Sequence, residues 1–328
     1  MFSPNKIFEK FCQNELDKTS TIELLLSIIE NSSADHLRLE SIDILNKIGV
    51  NGDTVFRVIE NLMISDLNPE LRISSLNLLF TNYQEKVLNP IKWMINYETS
   101  FKVLIIIIKT LAKIESDNSK NLLLTELKKI GSVKYLNLER NYKNKKYKKL
   151  VKKLLKSNKI EKFSHKQISE IIVNFLIVKH LSEKFPNVFF ELNPQTLLVE
   201  SLDLSDYLEY EVKGTPWGWR NNISNLSEIE GLENLEALYT LDLSNNQIRC
   251  IKDLNRLKSL THLNLSNNKI KDPDNLSYLN DLPNLEYLNL CDNEVSNFLT
   301  PSSLNPKIRI ISKRQLEEIE AKLQAKLE

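Results

Sequence analysis

The chain has 328 residues, room for two domains, and carries 44 basic against 43 acidic side chains for a formal net charge of +1. Hydrophobic residues at 41% and aromatics at 8% exclude a disordered chain, and only 6 glycines and 10 prolines favour extended regular structure, mostly helix. Three scattered cysteines, Cys12, Cys250 and Cys291, argue against a disulfide framework and fit a reducing compartment. The charged start MFSPNKIFEKFCQNE lacks the apolar core of a signal peptide, and the apolar run from Val103 to Ile108 is too short to span a bilayer. A soluble cytoplasmic protein is expected.

From Ser3 to about Gly131 helix start signals recur. Ser20 has Glu23 three residues on, Ser33 opens a helix that Gly49 closes, Asp53 opens the next, and Asn68-Pro69 is an N-cap followed by proline at the first helical position. Asn89-Pro90, Ser100 and Asn118 repeat the theme. Near starts at 33, 68, 100 and 132 sits an apolar-basic-apolar triplet: Leu37-Arg38-Leu39, Leu71-Arg72-Ile73, Phe101-Lys102-Val103 and Val133-Lys134-Tyr135. In the first two, a small residue (Ser41, Ser75) and then a leucine (Leu45, Leu79) follow. This pattern is similar to HEAT-type helical pairs. The resemblance implies an α-solenoid over 1–186, with the basic residue opening each second helix and the small residue permitting close packing. The stretch from Lys102 to Ile114 is expected to be a central helix buried nearly all round.

Residues 134–166 hold 13 basic and two acidic side chains, so the near-neutral total hides a polarised molecule. Tyr147, Leu150, Val151, Leu154 and Leu155 mark one helical face, leaving Lys145, Lys146, Lys148, Lys149, Lys152, Lys153 and Lys156 outside. Two readings stay open: a solvated face, or a site for an anionic partner in which a Lys-rich helix over 140–159 binds nucleic acid or an anionic membrane. Ser164 with Gln167 caps a further helix ending at Phe185-Pro186. Residues 187–225 read as a junction covering the open edge of a following sheet. Val199-x-x-Leu202-x-Leu204 resembles half a repeat, with Tyr207 where asparagine is expected, and Trp217-Gly218-Trp219 is either packed or a recognition patch.

Then one phrase occurs three times: LYTLDLSNNQI from Leu238, LTHLNLSNNKI from Leu260 and LEYLNLCDNEV from Leu285. Alternation places Leu241 and Leu243, Leu263 and Leu265, and Leu288 and Leu290 on one face of a strand, and stacked copies close an apolar column no single strand could bury. Asn246, Asn268 and Asn293 fall where the chain leaves the strand, in place to bond backbone groups left unmatched there. Apolar residues in threes (Ile248, Ile251, Leu254, Leu257) suit 3₁₀ or helical return segments. Ile308 to Ile311 adds a last strand, and 312–328, with Ser312 and Gln315 as capping box, is expected to close the stack as a helix.

The repeat over 226–311 resembles the 22-residue class of leucine-rich repeat found in a protein phosphatase regulatory subunit, an axonemal dynein light chain and tubulin-folding cofactors. The resemblance implies a short α/β solenoid with capping elements that binds another protein, with phosphatase, cytoskeletal or small-GTPase machinery as candidate partners. On its open face alternation turns Thr240, Asp242 and Ser244, then His262, Asn264 and Ser266, then Tyr287, Asn289 and Cys291 toward solvent, with Tyr287 the natural anchor.

Neither a phosphate loop, a metal-ligand cluster nor paired carboxylates stand in the sequence, and no cofactor or small-molecule substrate is expected. His262 with Cys291 is the best dyad, but about 13 Å of strand separates their motif positions, whereas proton transfer needs roughly 3 Å. The expectation is a non-enzymatic interaction scaffold or adaptor, with electrostatic binding through the lysines as the alternative.

Overall fold

The computed structural model describes residues 3–84, 86–131, 149–150, 152–154, 156, 160–206, 221–298 and 304–310. A helix-rich half precedes a region containing a sheet. The chain divides into two compact units, residues 1–127 with 163–169, and 128–162 with 170–328.

In the first unit α1 (Pro4–Cys12), α2 (Lys18–Asn31), α3 (Asp35–Ile48), α4 (Asp53–Ser65), α5 (Pro69–Asn82), α6 (Leu88–Tyr97), α7 (Phe101–Ile114) and α8 (Asp117–Gly131) follow one another, α8 running past the unit's end. Several starts differ from expectation by a few residues. Asp17, not Ser20, caps α2, its carboxylate accepting the Ser20 amide at 2.9 Å. Helix α3 starts at Asp35, after Ser32 has accepted the Ala34 amide at 3.1 Å. Asn68 caps α5 as expected, accepting from the Glu70 amide. Ser100 stands at the N-cap of α7 without a side-chain bond. Just before the helix, Glu98 Oε1 accepts the Thr99 and Ser100 amides at 2.9 and 2.7 Å. Gly49 ends α3 at φ 66°, a left-handed conformation that side chains bearing a Cβ resist.

Helices α2 and α3, α4 and α5, and α6 and α7 pack as consecutive pairs, and the second members α3, α5 and α7 pack on one another in order. Ser41 and Ser75, fully buried, are the small residues that admit this approach. Helix α7 buries Val103, Ile105, Ile107, Ile108, Thr110 and Leu111, leaving Lys102 and Lys113 exposed.

The arginines near the starts of α3 and α5 have defined tasks, whereas Lys102 of α7 is exposed. Arg38 of α3 pairs with Asp66, at the end of α4, and donates Nε to the Ile29 carbonyl at 3.1 Å. Arg72 of α5 grips Glu98, at the end of α6, with both fork arms at 2.9 and 2.8 Å, and donates to the Asp66 carbonyl at 2.6 Å. Each arginine thus ties its own pair to the next, Arg72 through a bidentate grip on Glu98 that lysine cannot reproduce and Arg38 through one contact to Asp66 beside its bonds to Ile29 and Asp35. The clefts beside these arginines correspond as well. Asn61, Leu62, Ser65 and Asp66 line one, and their counterparts Trp93, Met94, Tyr97 and Glu98 line the other, a constant shift of 32 residues.

In the second unit, helix α9 (His165–Lys184), which begins in the first, opens with the expected reciprocal bonds between Ser164 and Gln167. Asn174 is buried and accepts the Val199 amide at 2.8 Å, fixing where the sheet begins. Strand β1 (Phe189–Leu192) pairs antiparallel with β2 (Val199–Asp203), and β3 (Thr240–Asp242), β4 (His262–Asn264), β5 (Tyr287–Asn289) and β6 (Arg309–Ile310) extend the sheet in parallel. Leu202, Leu241, Leu263 and Leu288 stand in register and are buried, forming the column that the L-x-L alternation anticipates. The return segments carry short 3₁₀ turns over Leu226–Glu228, Leu232–Asn234 and Lys252–Arg256. The third copy starts 25 residues after the second, not 22, and this longer return segment contains a full α-helical turn, α10 (Asn275–Asn280).

Tyr207, Trp217, Trp219, Lys145, Lys146, Lys148, the fourth basic triplet at 133–135 and the cap over 312–328 lie outside the described residues. Among the described residues no helix is long and apolar enough to cross a membrane.

The Arg72–Glu98 pair is almost wholly removed from water, at 11% and 5% side-chain exposure. Arg72→Ala strands a buried carboxylate, and urea unfolding is expected to report a loss of about 3–5 kcal/mol. Lys86→Ala, which breaks the exposed pair with Asp53, is expected to leave the urea midpoint where it was.

Candidate functional site

The open face of the sheet is held by side-chain amides behind it. Asn246 donates Nδ2 to the carbonyls of Leu204 on the preceding repeat and Leu243 on its own, at 3.0 and 3.1 Å, while its Oδ1 accepts the Ile223 amide at 2.9 Å. Asn268 repeats this with Leu243, Leu265 and Ile248, and Asn293 with Leu265, Leu290 and Ile270. All three are at most 5% exposed. Each rung therefore ties a strand to its predecessor and to the loop between them. The residue before each rung, Asn245, Asn267 and Asp292, sits at φ 61°, 53° and 56°. Asn and Asp tolerate this left-handed conformation best among residues with a Cβ.

At the first repeat the rung comes from a residue that spacing alone did not point to. Asn221 donates to the carbonyls of Leu204 and Ser205 at 2.9 and 3.3 Å, and both donates to and accepts from the backbone of Asn187. Leu204 and Ser205 correspond to Leu243 and Ser244, so Asn221 does for the first strand what Asn246 does for the next. A hint was present: Asn221-Asn222 repeats the double asparagine of Asn245-Asn246 and Asn267-Asn268.

The face itself corrects the expectation of three solvent-facing rows. In the middle row Asp203, Asp242 and Asn264 each turn Oδ1 back to accept both the amide and the hydroxyl of the serine two residues on (Ser205, Ser244, Ser266). Asn289 accepts the Cys291 amide at 3.0 Å in the same way. These side-chain turns draw Ser244 and Asn289 inward to 2% and 3% exposure, so neither faces solvent. Asp242, Asn264, Ser266 and Cys291 are half-buried. Burial raises the Asp242 carboxyl above the ordinary aspartate range, more than its bonds to Ser244 and Asn264 lower it, and the neighbouring Asp203 carboxylate pushes it the same way.

The outer row is built differently. Thr240, His262, Tyr287 and Arg309 occupy matching positions on β3 to β6. The His262 and Tyr287 rings stack at 4.4 Å and 17°. The Arg309 guanidinium lies over the Tyr287 ring at 5.6 Å and donates Nη1 to its hydroxyl at 3.3 Å. Stacked by one neighbour and overlain by the other, Tyr287 is half-buried. Arg309 escaped notice because the last strand lacks the full motif, yet it occupies the same register position as Tyr287. His262 Nδ1 bonds Thr261 at 2.8 Å.

Other candidates lie elsewhere. Lys149, Lys152, Lys153 and Lys156 are exposed, as expected. The helical unit shows an apolar patch absent from the sequence reading, where Leu67 (96% exposed), Trp93 and Tyr97 rim a cleft of about 370 Å³ and the two rings pack at 4.6 Å. Among the described residues no group of three or more His, Cys, Asp or Glu could hold a metal ion.

A family model described as leucine-rich repeats (two copies) matches residues 258–306, which contain β4, α10 and β5. No curated protein matches the chain. The leucine-rich repeats are thereby established at the part of the sheet that carries His262 and Tyr287. Such repeats generally serve protein–protein interaction.

Two outcomes follow for the described geometry. Asn246→Ala removes four bonds from buried groups, and its urea unfolding is expected to show a loss of at least about 1–3 kcal/mol. The raised Asp242 carboxyl contributes stability that is fully present below its unfolded pKa and is lost as pH rises through its folded one. Asp242→Asn, an isosteric change that matches Asn264 and Asn289 in the same row, is therefore expected to gain on wild type as pH increases from 3 to 7. A wild-type advantage that grows over that range would contradict the assignment.

Proposed function

We propose that this chain is a non-enzymatic interaction protein, a scaffold or adaptor in which HEAT-like helical pairs form an α-solenoid and a 22-residue-class leucine-rich solenoid offers its sheet face to a partner. The observation that carries the reading is the outer row, in which polar side chains from successive strands are stacked in register on a backbone locked by buried asparagine rungs. A preorganised surface of this kind loses little entropy on binding, which suits recognition. The helical part of the proposal draws support from Arg38 and Arg72, which join consecutive pairs through acids at matching positions. By resemblance, phosphatase, cytoskeletal or small-GTPase machinery supplies the partner. Cytoplasmic location and the absence of catalysis belong to the same proposal.

A second reading rests on Lys149, Lys152, Lys153 and Lys156, four exposed cations within eight residues. It makes the chain an electrostatic binder of nucleic acid or anionic membrane through 140–159.

Affinity capture with wild type and with the pair His262→Glu and Tyr287→Ala separates the two. The first reading expects specific proteins to be lost from the variant. An identical partner list would remove the sheet face from consideration. The second expects binding to RNA or to phosphatidylserine vesicles that weakens steeply with salt, and that Lys149→Glu, Lys152→Glu and Lys153→Glu together abolish.

A further inference from the structure

We propose that the row His262–Tyr287–Arg309 is the docking site for an acidic segment of a partner protein. The proposal rests on the sheet face being a binding surface and adds the chemistry of what it binds. With His262 stacked on the Tyr287 ring and Arg309 lying over it, the row presents polar edges more than an aromatic face. Those edges are mostly donors. Arg309 is exposed and permanently charged, and its side chain, which carries several N–H groups, bonds only Tyr287 among the described residues. Because the Tyr287 hydroxyl accepts from Arg309, its own proton points elsewhere. The Thr261 hydroxyl lies 3.0 Å from the Tyr239 carbonyl and 2.8 Å from His262 Nδ1, which engages that side of the ring. His262 is exposed, and no bond to its Nε2 is present among the described residues.

Charge sets the direction in which such a segment lies. The carboxylates that the strands place on this face, Glu191, Asp203 and Asp242, stand on β1, β2 and β3. Arg309 stands on β6, three strand spacings or roughly 14 Å from β3. A carboxylate-bearing segment is attracted at the β6 edge and repelled at the other, so one orientation is favoured. Glu286 is exposed beside the row, just before β5, and among the described residues its carboxylate makes no ion pair with Arg309. From His262 to Arg309 the row spans about 10 Å. It holds one permanent cation, which suits one or two carboxylates and not the serial phosphates of a nucleic acid or the plane of a bilayer.

The test is fluorescence anisotropy of a labelled hexaglutamate peptide with the full chain in 50 mM salt. The expected result is binding that Arg309→Glu weakens at least tenfold, Arg309→Lys weakens less and His262→Ala weakens severalfold. Lys149→Glu with Lys153→Glu is expected to leave it unchanged. Circular dichroism melts that match wild type show that the exposed substitutions have not unfolded the chain. Absence of wild-type binding, an affinity indifferent to Arg309→Glu, or loss only in the lysine variant overturns the proposal. So does tighter binding of an oligouridylate or of phosphatidylserine vesicles that depends on Arg309. If hexaglutamate fails while the His262 and Tyr287 variant still loses captured proteins, the acidic assignment falls and the binding-face reading stands. If capture is also unchanged, both fall.

Discussion

The bond from a buried asparagine amide to the carbonyls of two neighbouring strands is the interaction on which the sheet region depends. Strands of two to five residues make few ladder bonds of their own, and the chain must leave each one through a turn that sheet pairing cannot satisfy. A buried carbonyl without a donor costs roughly 1–3 kcal/mol, and every repeat has more than one at the same place. Asn221, Asn246, Asn268 and Asn293 meet that demand with one amide each. Because Nδ2 of Asn246, Asn268 and Asn293 reaches carbonyls of two successive strands, the same side chain also fixes the offset between them. The leucine columns then supply burial, which is strong but without direction, and the rungs supply register.

A related division holds among the helices. Apolar faces bring α2 to α7 together, while Arg38 and Arg72 choose which turn of the following pair each helix meets. In both regions a donor with several N–H groups is buried at the seam between units and is fully engaged there. The exposed groups are left to the surfaces. On the sheet these are the edges of His262, Tyr287 and Arg309, and on the helices they are Leu67, Trp93 and Tyr97. A rigid interior seam with an unencumbered outer row is the physical basis for reading the molecule as a platform for partners.

What was legible in the sequence is what recurs at fixed spacing. The L-x-L alternation located β3, β4 and β5, and the third motif asparagines announced the rungs. The Arg38 and Arg72 triplets marked the second helices correctly. Features that depend on contacts between distant positions stayed hidden. Asn221 stands 14 residues after Tyr207, the position where the motif expects asparagine, so spacing could not nominate it. The inward position of Ser244 follows from an aspartate turn two residues earlier, which alternation ignores. Arg309 completes the row from a strand with too little motif to be recognised as a copy, although its register follows once β5 is placed. The cap of α2 moved for a similar reason, since Asp17 lies three residues before Ser20 and accepts its amide.

Hydrogen exchange at the backbone amides of Ile223, Ile248 and Ile270 tests the account most directly, because among the described residues these three amides donate only to asparagine Oδ1 atoms. If the rungs hold the sheet region in register, the three exchange as slowly as the ladder amides of β3 to β5, through the same cooperative opening. Exchange at the rate of an exposed loop, with the strands still protected, would show that the asparagines decorate the sheet without holding it.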